Sequence, residues 1–368
     1  MVRMSPAATH VYDESKVKTL SSLEHIRTRP GMYIGRLGDG SNPDDGIYVL
    51  LKETVDNSID EYIMGHGKRI DIAIGEDGRV RVRDFGRGIP LGKVVDCVSQ
   101  INTGAKYNNE VFQFSVGLNG VGTKAVNALS MEFFVRSVRE GKFKSATFRN
   151  GKLVEEEDGK TDDENGTEVV FLPDPEFFPD FKFEEKHVRR RIRNYACLNS
   201  GLTLYCNDEK FLSRNGLLDL LEEKVDEEKV YPIIYHRSKT IEFAFCHTAS
   251  YGESYHSFVN GQYTKDGGTH QSAFREGILK GVNEFAGKTL DGGDVRNGIV
   301  GAIAVKVQDP VFESQTKNKL GNNEIRPEIV NQAREAVMTY LYQHADVADK
   351  LFRRDLYFRL RVVEVIVP

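Results

Sequence analysis

The sequence predicts an α+β protein built from two domains, and three observations support this prediction. Its 368 residues exceed the length of a typical single domain. Stretches with helical and with strand periodicity are interspersed along the chain. An acidic break at residues 222–230, EEKVDEEKV, separates two groups of such stretches. We therefore place the domain boundary between residues 226 and 227.

The composition is that of a soluble globular protein, with 39% hydrophobic and 29% charged residues. A net charge of −5 means that any contact with nucleic acid must come from local basic patches. No stretch has the length of a signal-peptide core or a membrane span, so we expect a cytoplasmic protein without membrane contact. Four cysteines lack C-x-x-C spacing, which indicates buried free thiols rather than a zinc site or a disulfide framework: Cys97, Cys197, Cys206 and Cys246.

The first domain is predicted to follow a flexible N-terminal arm. This arm comprises residues 1–16 and contains one aromatic residue, Tyr12. A short helical pattern then spans residues 20–27. The dipeptide Pro30-Gly31 signals a turn before the next helix.

The chain is organised around a predicted amphipathic helix over residues 46–65. Its apolar face recurs at spacings of three and four residues and comprises Ile47, Leu51, Val55, Ile59 and Tyr62. Another face carries Glu53, Asn57 and Asp60, so a carboxylate and a carboxamide lie one turn apart. A glutamate can take a proton from water, and an amide oxygen can ligate Mg²⁺. For this helix alone, the alternative is a solvated polar face.

Strands, helices and loops complete the first domain. Residues 69–74 and 79–84 alternate as strands around the hairpin signal Asp77-Gly78. Residues 114–130 are predicted to be a glycine-rich loop that opens a helix, and the acidic segment 155–166 a solvated loop. The remaining predictions are helices over 92–101, 184–199 and 217–224, and strands over 133–141, 143–151, 167–173 and 202–206.

The second domain has a simpler pattern and no internal repeat. Strands are predicted over residues 241–248, 254–261 and 299–307. Two long helical patterns cover residues 270–287 and 327–345.

Asp84 ends a predicted strand, and Gly86 and Gly88 follow it. A carboxylate can accept a hydrogen bond from an exocyclic amine such as N6 of adenine. The glycines allow the backbone and a ligand to approach closely. Alone, a D-x-G-x-G motif is usually a turn. The triplet Asp84-Phe85-Gly86 also imitates that of protein kinases, but no H-R-D loop or V-A-I-K strand accompanies it.

Two further segments of the chain have residues that could bind phosphate. Residues 117–122, GLNGVG, directly precede a predicted helix, where backbone N–H groups form an anion site. Residues 117–124 approach the P-loop pattern but read Gly-Thr-Lys where Gly-Lys-Thr is required, so we reject a P-loop. Gln315-Thr316-Lys317 lies in a loop before the last long helix. Lys317 can supply a point charge to a terminal phosphate, although a lone lysine is more often a surface charge.

Taken in this order along the chain, the motifs E-x-x-x-N, D-x-G-x-G and G-x-x-G-x-G resemble those of the split ATPase fold. Type IIA topoisomerases, heat-shock chaperones, mismatch-repair ATPases and sensor histidine kinases share this fold. Within this group, six further stretches resemble the family formed by the B subunits of bacterial DNA gyrase and topoisomerase IV. They are RTRPGMYIG (27–35), ETVDNSIDE (53–61), GRGIP (86–90), VGLNGVGTKAVNALS (116–130), DGGTH (266–270) and DPVFESQTKNKL (309–320). The resemblance covers about residues 12–348.

The resemblance implies a split (Bergerat-type) ATPase α/β sandwich over residues 17–226. It implies a transducer domain of the ribosomal S5-like α/β fold over residues 227–348. Residues 349–368 form an atypical tail that resembles a short piece of bacterial enhancer-binding AAA+ activators. The alternative for this tail is a divergent linker.

The resemblance also implies roles for individual residues. Glu53 matches the general base that activates water, and Asn57 matches the magnesium ligand. Asp84 matches the residue that reads adenine, helped by Thr167 and a water. Arg139 matches the rim of the pocket, which is expected to accept aminocoumarin-type inhibitors.

The phosphates are expected to contact more separated parts of the chain. Lys106 lies before the glycine-rich loop over residues 117–122, which matches the lid that encloses the phosphates. Gln315 and Lys317 match a transducer loop that reaches the terminal phosphate. Tyr12 matches an arm residue that crosses to the nucleotide of the other protomer. Further cofactor-binding residues are Gly88, Ile89 and Pro90 after the Asp84 strand, and Gly117, Leu118, Asn119, Gly120, Val121 and Gly122 in the lid.

The implied function is the ATP-hydrolysing N-terminal gate of a type IIA topoisomerase, with ATP and Mg²⁺ as cofactors. ATP binding would produce a homodimer, and hydrolysis would drive passage of duplex DNA in an enzyme completed by a DNA-cleaving A subunit. The domain that cooperates in cleavage does not follow, so this chain is not expected to break DNA by itself.

Several departures and alternatives accompany this interpretation. Phe85 stands where many relatives have a second aspartate, and Asn119 replaces a histidine common in gyrases. The region after Pro90 is shorter than in many gyrases, which favours topoisomerase IV. RPGMYIG and DGGTH argue against chaperones and mismatch-repair ATPases, and no phosphoacceptor helix supports a histidine kinase. A truncated or chimaeric protein of this family that binds nucleotide or partner without turnover is the remaining alternative.

Overall fold

The computed structural model describes residues 17, 19–104, 120–313, 317–348, 350 and 351. Two mixed sheets, one of eight strands and one of five, each carry helices and a hydrophobic core. Within the described residues, no helix is long and apolar enough to cross a membrane.

Except for α2 (Gly31–Ile34), which was not predicted, the helices of the N-terminal half lie close to their predicted positions. They are α1 (Ser22–Thr28), α2 (Gly31–Ile34), α3 (Gly46–Ile63), α4 (Val94–Ser99), α5 (Gly122–Ala128), α6 (Glu185–Leu198) and α7 (Leu217–Lys224). Ser21 and Glu24 begin α1 with reciprocal capping hydrogen bonds. The turn predicted at Pro30-Gly31 is present at Pro30, and α2 begins directly after it at Gly31.

The first sheet has the order β5-β4-β3-β6-β2-β1-β7-β8. Its strands are β1 (Arg69–Ile74), β2 (Val80–Asp84), β3 (Ser130–Arg139), β4 (Lys142–Arg149), β5 (Lys152–Lys160), β6 (Gly166–Pro173), β7 (Thr203–Cys206) and β8 (Glu209–Phe211). All neighbours are antiparallel except β1 and β7. Strand β8 was not predicted.

The prediction of a solvated loop over residues 155–166 is wrong for its first half, which belongs to β5. This strand pairs with β4 at the edge of the sheet and is exposed along nearly its whole length. An edge strand whose two faces are both exposed to solvent does not need apolar residues at alternate positions. The acidic sequence of β5 is therefore compatible with a place in the sheet. Lys144 of β4 also pairs with Glu156 at 2.8 Å.

Helix α3 packs against β2, β6 and α5, and its predicted apolar face is buried except at Tyr62, which is half-buried. Ile47 and Ile59 of that face are fully inaccessible. The predicted polar face is not a solvated surface either, because Asp60 is buried and Glu53 and Asn57 are half-buried. The alternative of a simple surface face is therefore wrong, and the polar groups of this helix require partners.

The second sheet has the order β12-β11-β13-β10-β9, with β11 and β13 parallel. Its elements are β9 (Ile234–Arg237), β10 (Ile241–His247), β11 (Glu253–Val259), β12 (Gln262–Tyr263), α8 (Thr269–Ala286), α9 (Gly292–Arg296), β13 (Ile299–Val305) and α10 (Arg326–Gln343). The short elements β9, β12 and α9 were not predicted. Helices α8 and α10 approach so closely that a Cβ at Gly277 would lie 2.6 Å from the Cβ of Ala333.

Helix α7 belongs by packing to the second core. Leu217, Leu220 and Leu221 join that core, and the helix contacts β10 and β13. The sequence pattern groups this helix with the first domain because the acidic break follows it. The boundary between residues 226 and 227 stays a prediction.

All four cysteines are free thiols, as predicted, but the prediction that all are buried is wrong for two of them. Cys197 and Cys246 are buried, whereas Cys97 and Cys206 are half-buried. Burial raises the pKa of Cys197, Cys206 and Cys246 to about 11. These three thiols therefore stay protonated at neutral pH.

Candidate active site

A cavity of about 800 Å³ lies beside α3 and α5 and is lined by residues of both halves of the chain. Every predicted site residue within the described ranges lines it: Glu53, Asn57, Asp84, Gly88, Ile89, Pro90, Gly120, Val121, Gly122, Thr167 and Lys317. The predicted residues Tyr12, Lys106, Gly117, Leu118, Asn119 and Gln315 lie outside the described residues, as do positions 352–368 of the tail.

Asp84 forms the buried end of the cavity, where β2 stops. Its Oδ1 accepts hydrogen bonds from the backbone N–H groups of Gly86 (3.0 Å) and Thr167 (3.1 Å). The Ser58 hydroxyl donates to Oδ2 over 3.3 Å. Burial raises the pKa of Asp84 to about 6, although these backbone hydrogen bonds oppose the rise. Asp84 is therefore an oriented acceptor that is largely ionised at neutral pH.

The chain turns sharply after Asp84 to form one cavity wall. Gly88 has a φ of +77°, and a Cβ there would lie 2.6 Å from the carbonyl oxygen of Val138. The Ser137 hydroxyl donates to the carbonyl oxygen of Ile89 over 2.7 Å. Arg139 donates to the carbonyl oxygen of Gly88 over 3.3 Å and thereby lies on the cavity wall, where the sequence analysis expected it.

Arg87 is held on the same turn by Glu61 of α3. Its side chain donates two hydrogen bonds to the Glu61 carboxylate, over 3.0 and 2.9 Å. Burial opposes ionisation of Glu61, but the hydrogen bonds from Arg87 lower its pKa below the ordinary value. This pair fixes the turn to the central helix.

Glu53 and Asn57 lie one turn apart on α3, as the spacing predicted. The Asn57 amide nitrogen donates to the Glu53 carbonyl oxygen (2.7 Å) and to the Thr123 hydroxyl (2.8 Å). These two acceptors orient the carboxamide and assign Oδ1 as its acceptor atom. A Cβ at Gly122 would lie 1.9 Å from Glu53 Oε2, so only glycine lets α5 begin against this carboxylate.

The first turn of α5 contains a buried lysine, Lys124, which the motif analysis used only to reject a P-loop. The Lys124 ammonium donates to the carbonyl oxygen of Thr103 over 2.7 Å. Lys124 lines the cavity, as do Thr103 and Gly104. It therefore joins the start of α5 to the segment that follows α4.

A second buried lysine, Lys52, lies beside Glu53. Its ammonium is 2.5 Å from Asp56 Oδ2 and 3.3 Å from Glu53 Oε1. The Tyr195 hydroxyl of α6 donates to Asp56 Oδ1. Burial opposes protonation of Lys52, but the two carboxylates outweigh it and raise the lysine pKa above its ordinary value. The sequence analysis missed this cluster because residue 195 is distant in the chain.

The second half of the chain closes one side of the cavity. Lys317, Gln262 and Lys265 line it from the loops and strand ends around the second sheet. The Lys265 ammonium lies 3.4 Å from Asp44 Oδ2, just before α3. Both partners of this pair are exposed, so it positions the two halves only weakly.

Comparison with known families gave two adjacent matches. The family described as "Histidine kinase-, DNA gyrase B-, and HSP90-like ATPase" matches residues 42–176. The family described as "DNA gyrase B" matches residues 209–356. The first match contains Glu53, Asn57 and Asp84, and the second contains Lys317.

Curated proteins with similar sequences are longer than this chain. The B subunit of DNA topoisomerase 4 from Borreliella burgdorferi is 58% identical over 336 residues, which is 91% of this chain and 56% of that protein. The B subunit of DNA gyrase from Clostridium acetobutylicum is 35% identical over 369 residues, or 92% of this chain and 57% of that protein. The chain therefore spans a little over half the length of these relatives.

A solved structure has a similar fold. It is the 43K ATPase domain of Thermus thermophilus gyrase B in complex with an aminocoumarin. The TM-score is 0.73 at 28% sequence identity, and the match covers 94% of this chain and 99% of that one.

Proposed function

The chain belongs to the family of bacterial type IIA topoisomerase B subunits, and from this premise we propose that it binds ATP in the cavity and hydrolyses it. One observation supports this proposal: three kinds of group line the same cavity. They are the buried acceptor Asp84, the pair formed by Glu53 and Asn57, and Lys317 from the second half of the chain. These groups suit an adenine, an attacking water with Mg²⁺, and a terminal phosphate respectively.

At the buried end, Asp84 accepts a hydrogen bond from the exocyclic amine of adenine. Thr167 and Gly86 hold its Oδ1, and Ser58 approaches Oδ2, so the carboxylate cannot rotate freely. Gly88, Ile89 and Pro90 form the wall that the base and sugar contact. Their close packing against β3 keeps that wall rigid.

At the other end, Glu53 takes a proton from the water that attacks the terminal phosphate. Lys317 supplies positive charge to the phosphate, and Gly120 and Gly122 expose backbone N–H groups near the start of α5. Gln315, Lys106 and residues 117–119 complete this end in our proposal. Phosphoryl transfer depends mainly on positioning and charge, which these groups provide.

The residues also suit Mg²⁺. Within the described residues, no group of three His, Cys, Asp or Glu side chains could form an all-protein metal site. Mg²⁺ commonly takes one or two protein oxygens together with phosphates and waters. Asn57 would hold it through Oδ1, because its nitrogen is engaged by Glu53 and Thr123. The ion, when bound, neutralises phosphate charge.

We propose further that nucleotide binding closes a gate between two copies of the chain. A cavity shared by two cores allows a ligand to favour one relative placement of them. Tyr12 of the arm would contact the nucleotide of the other copy. In the intact enzyme, a DNA-cleaving A subunit and duplex DNA are the partners, and the site of action is the cytoplasm. The 58% identity to a topoisomerase 4 relative and the short region after Pro90 favour the topoisomerase IV branch.

Steady-state ATP hydrolysis tests this proposal. Glu53→Ala should lower turnover by about 10²-fold or more while ATP affinity persists, because binding depends on other groups. Glu76→Ala, at an exposed glutamate outside the cavity, is the matched control and should hydrolyse ATP at the parent rate.

The same assay separates the alternative of a protein that binds without turnover. Such a protein would bind ATP in calorimetry and release no phosphate in any variant. Equal turnover in the parent and Glu53→Ala would contradict the role of Glu53.

A further inference from the structure

We propose that Arg83 is a positioning residue for the recognition of adenine. With support from the ring of Phe85, its guanidinium holds the β5–β6 loop (residues 161–165), and this loop places the Thr167 N–H group that orients the Asp84 carboxylate. The inference rests on the proposed function, because it concerns the carboxylate that we expect to bind adenine. It adds to the site a side chain that does not line the cavity.

Strand β2 presents two arginines to one face of the first sheet. Arg81 and Arg83 are two residues apart, so their side chains leave the strand on the same side. Arg81 is exposed, whereas Arg83 is buried. In the antiparallel pairing with β6, Arg83 lies opposite Glu168, close to the start of that strand. Arg83 is therefore placed beside the loop that leads into β6.

The guanidinium of Arg83 holds the end of this loop. Its Nη2 donates to the carbonyl oxygens of Glu164 over 2.6 Å and of Asn165 over 3.5 Å. The side-chain Oδ1 of Asn165 accepts a hydrogen bond from the backbone N–H of Glu140, between β3 and β4, over 2.8 Å. The loop is thus bonded to β2 on one side and to the β3–β4 connection on the other.

The loop delivers a backbone donor directly to Asp84. Gly166 follows it with a φ of +137°, and a Cβ there would lie 2.2 Å from the carbonyl oxygen of Asp84 and 2.5 Å from Arg83 Nη1. The next residue is Thr167, whose N–H donates to Asp84 Oδ1 over 3.1 Å. A shift of the loop therefore moves one of the two backbone donors that fix this oxygen.

Phe85 supports the guanidinium from the same strand end. The guanidinium carbon of Arg83 lies 5.0 Å from the centroid of the Phe85 ring, which is a cation–π distance. Arg83 Nη1 is buried and has no hydrogen-bond partner among the described residues, so the ring is a main contact of the cation beside the loop. The aromatic residue at the position where many relatives have an aspartate thus has a physical role in this chain.

Stability alone explains the burial of Arg83 poorly. Burying a cation costs free energy, and a buried amino group without a hydrogen-bond partner adds to that cost. Arg81, on the same face, avoids the cost by pairing with the Glu168 carboxylate at the surface. The burial of Arg83 is better explained if its fixed position serves the neighbouring carboxylate, because preorganised groups bind a ligand without further ordering.

A comparison of ADP with inosine 5′-diphosphate (IDP) tests this inference. Neither has a terminal phosphate to hydrolyse, and IDP has a carbonyl oxygen where ADP has the amine that Asp84 would bind. Arg83→Met removes the donors to the loop and keeps an unbranched side chain. We expect the Kd of ADP to rise about tenfold and the Kd of IDP to change little, so that the preference for ADP falls about tenfold.

The effect should be confined to binding of the base. The kcat for ATP at saturation should stay close to that of the parent in Arg83→Met, because the phosphate end of the cavity is unchanged. Phe85→Leu, which removes the ring and keeps an apolar side chain, should lower the preference for ADP in the same direction by a smaller factor. Arg83→Lys, which keeps a charged donor, should retain most of the preference.

Arg81→Met is the matched control. It makes the same exchange on the same strand and the same face, at an arginine that pairs with the Glu168 side chain. It should leave the ratio of the two Kd values at that of the parent. If circular dichroism shows that Arg83→Met is unfolded, Arg83→Gln, which is too short to keep both contacts with the loop, takes its place.

A double-mutant cycle provides a second readout. If Arg83 acts through Asp84, Arg83→Met should change ADP affinity far less in the Asp84→Asn background than in the parent. A general loosening of the fold would lower affinity by the same factor in both backgrounds.

The outcomes separate the two claims. A parent that fails to bind ADP, binds ADP and IDP equally, or binds ADP no better than Asp84→Asn defeats the proposed adenine site itself. If the parent prefers ADP through Asp84 but Arg83→Met keeps that preference, Arg83 is only structural and this inference is wrong. An equal loss of ADP affinity in both backgrounds also overturns it.

Discussion

At the residue scale, the proposed nucleotide site depends on polar side chains whose partners are fixed before any ligand arrives. Asp84 has three donors within 3.3 Å, and the Asn57 nitrogen has two acceptors within 2.8 Å. Such preorganisation leaves a single atom of each group oriented for a ligand. Burial raises the pKa of Asp84 to about 6, so the charge of its carboxylate depends on pH near that value.

Asp84→Asn should weaken ATP binding by about 1–3 kcal/mol at pH 8, because an amide can present N–H to the adenine amine. Below its pKa of about 6 the parent also loses the ionised acceptor. Parent affinity should therefore fall as the pH decreases through 6, and the gap to Asp84→Asn should narrow by pH 5. Calorimetric titration of both proteins with ATP measures this gap. A gap that is absent at pH 8, or constant down to pH 5, contradicts the role of Asp84.

Whether the sequence could predict a site residue depends on how far along the chain that residue lies from the residues it contacts. Glu53, Asn57 and Asp84 were predictable because each belongs to a local motif with a chemical reason for its spacing. Thr167 was added only by resemblance, and its N–H indeed bonds Asp84. The contact between Asp56 and Tyr195 spans 139 positions, so no local pattern could predict it.

At the scale of elements, the site is a junction between α3, α5 and the turn after β2. Helix positions were predicted well because buried helices keep a regular apolar spacing, as Ile47 and Ile59 illustrate. Strand β5 was missed because an exposed edge strand carries no such pattern. Helix α7, which the sequence pattern groups with the first domain, packs on the second core, because amphipathicity shows that a face is buried but not which core buries it.

The importance of the close contact between α3 and α5 can be tested by adding one methyl group at that contact. Alanine normally favours a helix over glycine, yet Gly122→Ala would place Cβ 1.9 Å from Glu53 Oε2. We expect the protein to fold and turnover to fall about tenfold or more, because the carboxylate must move. Gly92→Ala, where a Cβ meets nothing within 4 Å, is the matched control. Parent-like turnover in Gly122→Ala would show that the carboxylate position is not critical.

At the scale of the whole molecule, two cores share one ligand cavity. The predicted fold class, a split ATPase sandwich followed by a transducer domain, is confirmed by the family matches and by the similarity to the Thermus thermophilus gyrase B domain. Lys317 and its neighbours connect the second core to the proposed phosphate end. Each contact formed only in the closed state adds its own free energy to closure. The central claim is therefore that nucleotide, through both cores, operates a gate.

Sedimentation velocity with and without a non-hydrolysable ATP analogue and Mg²⁺ tests this claim most directly. We predict a monomer or weak dimer without nucleotide and a stable two-fold dimer with it. Lys317→Ala and deletion of residues 1–16 should each weaken the response. Lys319→Ala, at a neighbouring lysine paired with Glu313, should respond like the parent. A parent whose mass does not change with the analogue would contradict the gate, and a response that survives both changes would contradict our account of how it closes.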